Sequence, residues 1–116
     1  MIKSSTVVKT ETFAPILYLL EYEIPDAAIQ RANDVDLGLT AGLFSDDPEQ
    51  IAQFFDRIQA GVTYVNRQSG ATTGAWPGCQ AFGGWKGSGS TGKAAGSFYY
   101  AQQYMHEQSR TLVKLD

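Results

Sequence analysis

The chain has 116 residues, 43% of them hydrophobic, enough for one modest core and therefore one domain by default. Its formal charge of -3, with nine Lys and Arg in no cluster, leaves no electrostatic footprint for nucleic acid or an anionic membrane, and no run approaches the roughly 18 apolar residues that span a bilayer. A single cysteine, Cys79, excludes an internal disulfide and fits a reducing, cytoplasmic setting, and with one histidine, His106, metal-ligand spacing is absent too.

Residues 16–24, from Ile16 to Ile24, are β-rich and pass from continuous to alternating apolar character, which predicts a strand leaving a covered region for a half-exposed one. Pro25 suits a first helical turn, Asp26 complements the helix dipole, and Ala28, Ile29 and Ala32 form a narrow apolar stripe before Gly38. A short strand from Thr40 to Ser45 follows. Asp47 then caps a helix with Pro48 at its first position, and Ile51, Phe54, Phe55 and Ile58 recur at helical spacing until Gly61. Val62 to Asn66 reads as a further strand. Strand and helix in alternation predict crossovers in a largely parallel sheet. A helix from Gly92 to Met105 and a strand from Arg110 to Leu115 are expected to close the chain.

Between Arg67 and Ser90 nothing is periodic, yet nine of the twelve glycines fall between Gly70 and Gly96, and Trp76, Phe82 and Trp85 oppose disorder. This segment reads as a site loop. Within it, Gly87 to Ala94 imitates a P-loop, and Gly87, Gly89 and Gly92 imitate a dinucleotide fingerprint. A P-loop needs a hydroxyl after its Lys93, where Ala94 stands, and both motifs need a buried strand upstream, where the chain has Gly83-Gly84-Trp85-Lys86.

Glu11-Thr12-Phe13-Ala14-Pro15, Asn33, Gly38-Leu39-Thr40-Ala41-Gly42-Leu43-Phe44, Ala60-Gly61-Val62-Thr63-Tyr64-Val65-Asn66 and Phe82-Gly83-Gly84-Trp85-Lys86-Gly87-Ser88-Gly89 come in an order that resembles the C-terminal part of the NAD(P)-dependent aldehyde dehydrogenase superfamily. Within it, Asn66-Arg67, Thr72-Thr73-Gly74-Ala75, Gln80-Ala81-Phe82-Gly83-Gly84 and the tail Tyr104 to Thr111 look most like the 1-pyrroline-5-carboxylate dehydrogenases, which oxidise glutamate-γ-semialdehyde to glutamate in proline catabolism. The resemblance implies an α/β fold: a sheet-and-helix body over about residues 9–105 with its site loop at 67–90. A terminal strand over about 110–115 would be of the kind that pairs with a neighbouring subunit in a homo-oligomer.

By that resemblance, Glu11 is the glutamate that holds the nicotinamide-ribose hydroxyls, and Phe13 is the aromatic beside that ribose. An ionised carboxylate suits the task because it accepts two hydroxyl hydrogen bonds and so orients the ring. Read alone, Glu11 is more readily a solvated residue before a strand, with Phe13 in the core; the ordered company of the later motifs reverses that. Gly74 and Ala75 match the loop that anchors the substrate's α-carboxylate through backbone N–H groups, and Phe82 matches the aromatic wall of the aldehyde tunnel. As a bare sequence feature, Gly74-Ala75 is also a tight turn and Phe82 also a core aromatic. Cys79 lies in the anchor region with nothing basic beside it, so it reads as an inert thiol and not the nucleophile.

The resemblance maps no nucleophilic thiol, oxyanion donor, general base or dinucleotide-binding domain onto this chain, so a dehydrogenase fragment that binds no NAD or NADP tightly by itself is expected. Two other readings compete with it: a non-catalytic oligomerising or regulatory module on the same fold, and a P-loop nucleotide-binding domain.

Overall fold

The computed structural model describes residues 6–68, 80–89 and 94–115. A four-residue helix, α1 (Thr6–Lys9), precedes α2 (Pro25–Asn33), β1 (Leu37–Gly38), β2 (Thr40–Leu43), α3 (Pro48–Arg57), β3 (Val62–Val65), β4 (Trp85–Lys86) and a 3-10 turn at Ala101–Tyr104. The result is a mixed α/β body. Among the described residues no helix is long and apolar enough to cross a membrane.

The best-patterned helix forms as its sequence dictates. Pro48 occupies the first turn of α3, and the Asp47 carboxylate accepts a hydrogen bond from the Glu49 N–H at 2.9 Å, satisfying one of the donors a helix start leaves open. Phe54 and Ile58 are buried and Ile51 is half-buried, but Phe55 stands 51% exposed, so the apolar stripe is narrower than its spacing predicts. Helix α2 starts at Pro25 and ends at Asn33, before the expected stop at Gly38, because residues 37–38 are drawn into β1 instead. Asp26 ties the two helices together, accepting from Gln30 at 2.6 Å and from the Arg57 guanidinium of α3.

Helix α3 is the crossover between β2 and β3, which pair in parallel from Thr40 opposite Val62 to Leu43 opposite Val65. The core lies on this pair: Ile29, Phe54, Ile58 and Ala60 are buried together, with Ala41, Leu43 and Val65 packed against them. Strands β1 and β4 form a second, antiparallel ladder with Leu37 opposite Lys86 and Gly38 opposite Trp85. The sheets are thus two small pairs, one parallel and one antiparallel, in place of the single largely parallel sheet that the alternation of elements predicts. Strand β4 gives no periodic signal because it is two residues long and flanked by glycines.

Three predicted elements take another form. Residues 16–24 form no strand, since no described segment offers them a ladder of N–H and C=O partners; Leu17 and Leu19 are 81% and 85% exposed, while Tyr18 and Leu20 are less so at 39% and 40%. That alternation keeps the two-residue period of a strand without a neighbour to pair it. The expected helix ending at Met105 is reduced to the 3-10 turn, because Gly96 adopts φ +74° and the run Phe98-Tyr99-Tyr100 has no buried face to drive it helical. Tyr104 there donates to the Tyr100 hydroxyl, and that bond, with the Coulombic effect of Tyr100 and desolvation, raises its pKa above the ordinary 10.0. Residues 110–115 are irregular and exposed, not a strand.

These uncovered segments set the shape. The radius of gyration is 19.8 Å and the principal extents are 82 × 32 × 24 Å, against about 13 Å for the radius of a compact chain of this length.

The two ladders are joined where backbone meets backbone. The Gly61 N–H donates to the Gly38 carbonyl at 3.0 Å, and a Cβ on Gly61 would stand 1.7 Å from the Gly83 carbonyl oxygen, a rigid neighbour that cannot swing aside. Gly61→Ala is therefore expected to destabilise the fold by about 2–3 kcal/mol, the upper range for overpacking, read as a lowered urea midpoint. An unchanged midpoint would contradict the contact.

Candidate functional site

The segment that follows α1 is held at its start and then released. Lys9 pairs with Asp34 at 2.6 Å, tying α1 to the end of α2, and both partners are about half exposed or more. Glu11, Thr12 and Phe13 then run over the surface, and the Ile16 N–H closes a tight turn on the Ala14 carbonyl at 2.7 Å. Phe13 sits at φ +48° and is 95% exposed. A left-handed conformation is costly for a bulky aromatic residue, and exposure gives it no packing in return.

Two open clefts meet beside this segment. The larger, about 870 Å³, is lined by Glu11, Phe13, Tyr18, Val35 and Leu37 among others. The smaller, about 540 Å³, lies between Thr40, Gln59 and Ser88 and shares Glu11, Val35 and Leu37 with the first. The Glu11 carboxylate is thus an acceptor-only group at the junction of two apolar-sided clefts, which suits a ligand presenting paired hydroxyls.

The structure brings Glu11 and Phe13 together on one cleft. Phe82 is half-buried, donates its N–H to the Ala95 carbonyl at 2.8 Å in an isolated antiparallel bridge, and lines neither of the two clefts. Gly74 and Ala75, with Trp76, Pro77 and Cys79, lie outside the described residues, as do Gly92 and Lys93 of the P-loop imitation. The described part of that imitation is occupied: the N–H groups of Gly87, Ser88 and Gly89 donate to the carbonyls of Asp36, Trp85 and Lys86. Amides turned onto their own chain do not cradle a phosphate. Among the described residues no three His, Cys, Asp or Glu side chains gather as a metal site.

Sequence reading missed the polar hub that frames the smaller cleft. The Asn33 side chain accepts from the Gln59 N–H and donates to the Arg57 carbonyl, both at 2.8 Å, fastening the end of α2 to the turn before β3. Lys86, at φ +51°, reaches back to donate to the carbonyls of Asn33 at 2.6 Å and Val35 at 3.1 Å. A cation on the open carbonyls of a helix end satisfies acceptors and opposes the negative end of the dipole. Ser88 completes the hub by accepting from the Gly38 N–H at 3.0 Å. The available signal was the lone lysine between glycine pairs, which nothing in composition distinguishes from a solvated one.

At the carboxyl ends of β2 and β3, Asn66 closes a second clasp. Its side chain accepts from the Ser45 N–H at 3.0 Å and donates to the Ser45 carbonyl at 2.9 Å, while its own N–H donates to Leu43 at 2.8 Å.

Lys86→Met should lower stability by about 1.5–3 kcal/mol, the range for hydrogen bonds to a charged group, whereas Lys9→Ala should change it by less than about 1 kcal/mol because its ion pair is solvent-screened. Urea unfolding followed by tryptophan fluorescence separates the two. Equal effects would deny Lys86 its role in holding β4 to α2.

A sequence model described as the aldehyde dehydrogenase family matches residues 1–109. Similar curated proteins include N-succinylglutamate 5-semialdehyde dehydrogenase of Burkholderia cenocepacia, 39% identical over 94 residues that make up 81% of this chain and 18% of that protein. The putative aldehyde dehydrogenase DhaS of Bacillus subtilis is 38% identical over 93 residues, covering 80% and 18% respectively. Among solved structures, a variant of 1-pyrroline-5-carboxylate dehydrogenase from Thermus thermophilus superposes with a TM-score of 0.74 at 33% identity, over 83% of this chain and 18% of that one. Proline utilization A from Corynebacterium freiburgense superposes with a TM-score of 0.77 at 32% identity, over 97% and 12%. The chain therefore spans 18% of the length of these curated relatives.

Proposed function

Because the chain belongs to the aldehyde dehydrogenase family, we propose that it is the part of an NAD(P)-dependent aldehyde dehydrogenase that contributes contacts to the nicotinamide ribose and to the substrate carboxylate. The observation that carries this reading is the Glu11–Phe13 turn. An aromatic residue in a left-handed conformation, 95% exposed at the mouth of a cleft, is strain with no compensation among the described residues. A flat ligand lying against Phe13 supplies that compensation, and the Glu11 carboxylate beside it accepts the hydrogen bonds of a ribose diol. The residues present therefore fit the cofactor. When bound, NAD(P) supplies the hydride acceptor; Glu11 and Phe13 fix where its ring sits.

The substrate assigned is glutamate-γ-semialdehyde, oxidised to glutamate. Supporting this choice, similar proteins are named for N-succinylglutamate 5-semialdehyde and for 1-pyrroline-5-carboxylate, both of which bear carboxylates, and another is a proline utilization protein. Gly74 and Ala75 are assigned to the substrate α-carboxylate and Phe82 to the apolar wall around the aldehyde. The exposed apolar residues Leu112, Val113 and Leu115 suit pairing of residues 110–115 with a partner subunit in a homo-oligomer. Catalysis by the thiol and base of this family requires residues that the resemblance does not map onto these 116.

The test is an assembly in which residues 1–109 replace the matching segment of the Thermus thermophilus enzyme, with NAD(P)H formation followed by absorbance. Glu11→Gln, which keeps the shape and removes the charge, should raise KM for NAD(P) and lower kcat/KM by about 10- to 100-fold, as expected for losing charge-assisted bonds to the cofactor. Cofactor kinetics indifferent to this substitution would remove Glu11 from the site.

A further inference from the structure

Glu11, Val35 and Leu37 line both clefts, so the position of the Glu11 carboxylate depends on how the segment after α1 is set against residues 33–37. The second of these walls is fixed. Asp34 caps the C-terminus of α2, its N–H donating to the Arg31 carbonyl at 3.2 Å, and the carbonyls on either side of it, those of Asn33 and Val35, are both held by the Lys86 ammonium at 2.6 and 3.1 Å. The next carbonyl, of Asp36, accepts from the Gly87 N–H at 2.9 Å. With its main chain held at 33, 35 and 36, Asp34 presents its carboxylate from a fixed base. Against that base comes Lys9. It ends α1, where the Thr10 N–H continues the turn by donating to the Thr6 carbonyl at 3.0 Å, and its ammonium reaches Asp34 at 2.6 Å. Lys9 also lines the larger cleft, and Glu11 follows two residues later. The ion pair therefore bridges the two walls close in sequence to the carboxylate they share.

We infer that Lys9 and Asp34 are positioning residues for cofactor binding: their ion pair is a tether that sets where the Glu11 carboxylate stands at the junction of the clefts, and neither side chain touches the cofactor itself. The inference rests on Glu11 as the acceptor of the nicotinamide-ribose hydroxyls. A diol is gripped only when both O–H groups meet the carboxylate at hydrogen-bond distance, so a small shift of the main chain at residue 11 is felt in cofactor affinity. Both partners of the pair are about half exposed or more, so the hold is modest and screened by salt. It acts on the placement of Glu11 far more than on the stability of the fold.

In the same assembly, Lys9→Met and Asp34→Asn should each raise KM for NAD(P) by about two- to fivefold, the upper reach of a solvent-screened pair, while KM for the aldehyde stays within about twofold. The double variant should be no worse than either single one. In the Glu11→Gln background neither substitution should have a further effect, since the pair acts only through that carboxylate; a merely structural role would add its loss there too. Lys9→Asp combined with Asp34→Lys restores the pair with its charges exchanged and should bring KM to within about twofold of wild type, a comparison that stands even where a single variant does not assemble. A loss confined to one of the two residues would give that residue a direct part in binding and overturn the inference, as would additive losses in the double variant or an exchange that fails to rescue. Glu11→Gln without effect overturns the cofactor reading and the tether with it; Glu11→Gln raising KM while both charge variants match wild type overturns only the tether.

Discussion

The structure depends on how closely the turn before β3 approaches its neighbours. Residues 59–61 lie between two separate ladders, and their backbone is bonded to both sides: Gln59 to the Asn33 side chain, Gly61 to the Gly38 carbonyl, with the Gly83 carbonyl pressed against the place where a Gly61 side chain would be. Remove that approach, and the parallel β2–β3 pair and the antiparallel β1–β4 pair become two fragments, each too small to stand in water. With it, β4 is drawn against the end of α2, Lys86 reaches the helix carbonyls, and the cleft between Thr40, Gln59 and Ser88 acquires a wall.

That dependence decides what could be read from the sequence. Helix α3 was legible because everything that specifies it is local: an Asp47 cap, a Pro48 start and a 3.6-residue apolar period. The parallel pairing of β2 with β3 was legible from the alternation of element types. Strand β4 was not, because two residues between glycines carry no period, and its pairing is imposed by backbone fit with β1. The glycines of 83–89 were read as part of a site loop; a Cβ on Gly83, Gly84, Gly87 or Gly89 would meet the chain's own backbone or side chains. Of the candidate site, the Glu11–Phe13 turn could be named only through resemblance, since a lone Glu before a β-rich segment has no distinguishing chemistry. Asn33 and Lys86 stood among the residues that carry the resemblance, but the hub they form was not legible, because it consists of side chains meeting main-chain groups far away in sequence.

The same local-versus-distant division explains the segments that departed from expectation. Residues 16–24 keep a strand's alternation, and residues 110–115 keep β-forming side chains, yet neither has a ladder among the described residues, and both leave leucines at more than 80% exposure. Backbone without a pairing partner is left to solvent, and apolar side chains along it favour association. A radius of gyration near half again that of a compact chain is the geometric form of the same fact. The small core around Phe54 and Ile58 is buried, while the segments on either side of it leave apolar side chains exposed.

Three non-glycine residues among those described adopt left-handed backbone conformations: Phe13, Asn66 and Lys86. Each is a small store of strain, of order 1–3 kcal/mol, that something must offset. At Lys86 the offset is visible in two hydrogen bonds to the carbonyls at the end of α2, and at Asn66 it is visible in the two bonds to Ser45. At Phe13 the ring is almost wholly in solvent and no hydrogen bond of its side chain is possible. Two of the three strained residues therefore serve the fold, and the third is the one whose conformation the fold does not account for. It is also the one beside an acceptor-only carboxylate at the junction of two clefts. Strain that no described residue offsets, set next to a group able to bind a diol, is the physical ground of the proposed ligand site.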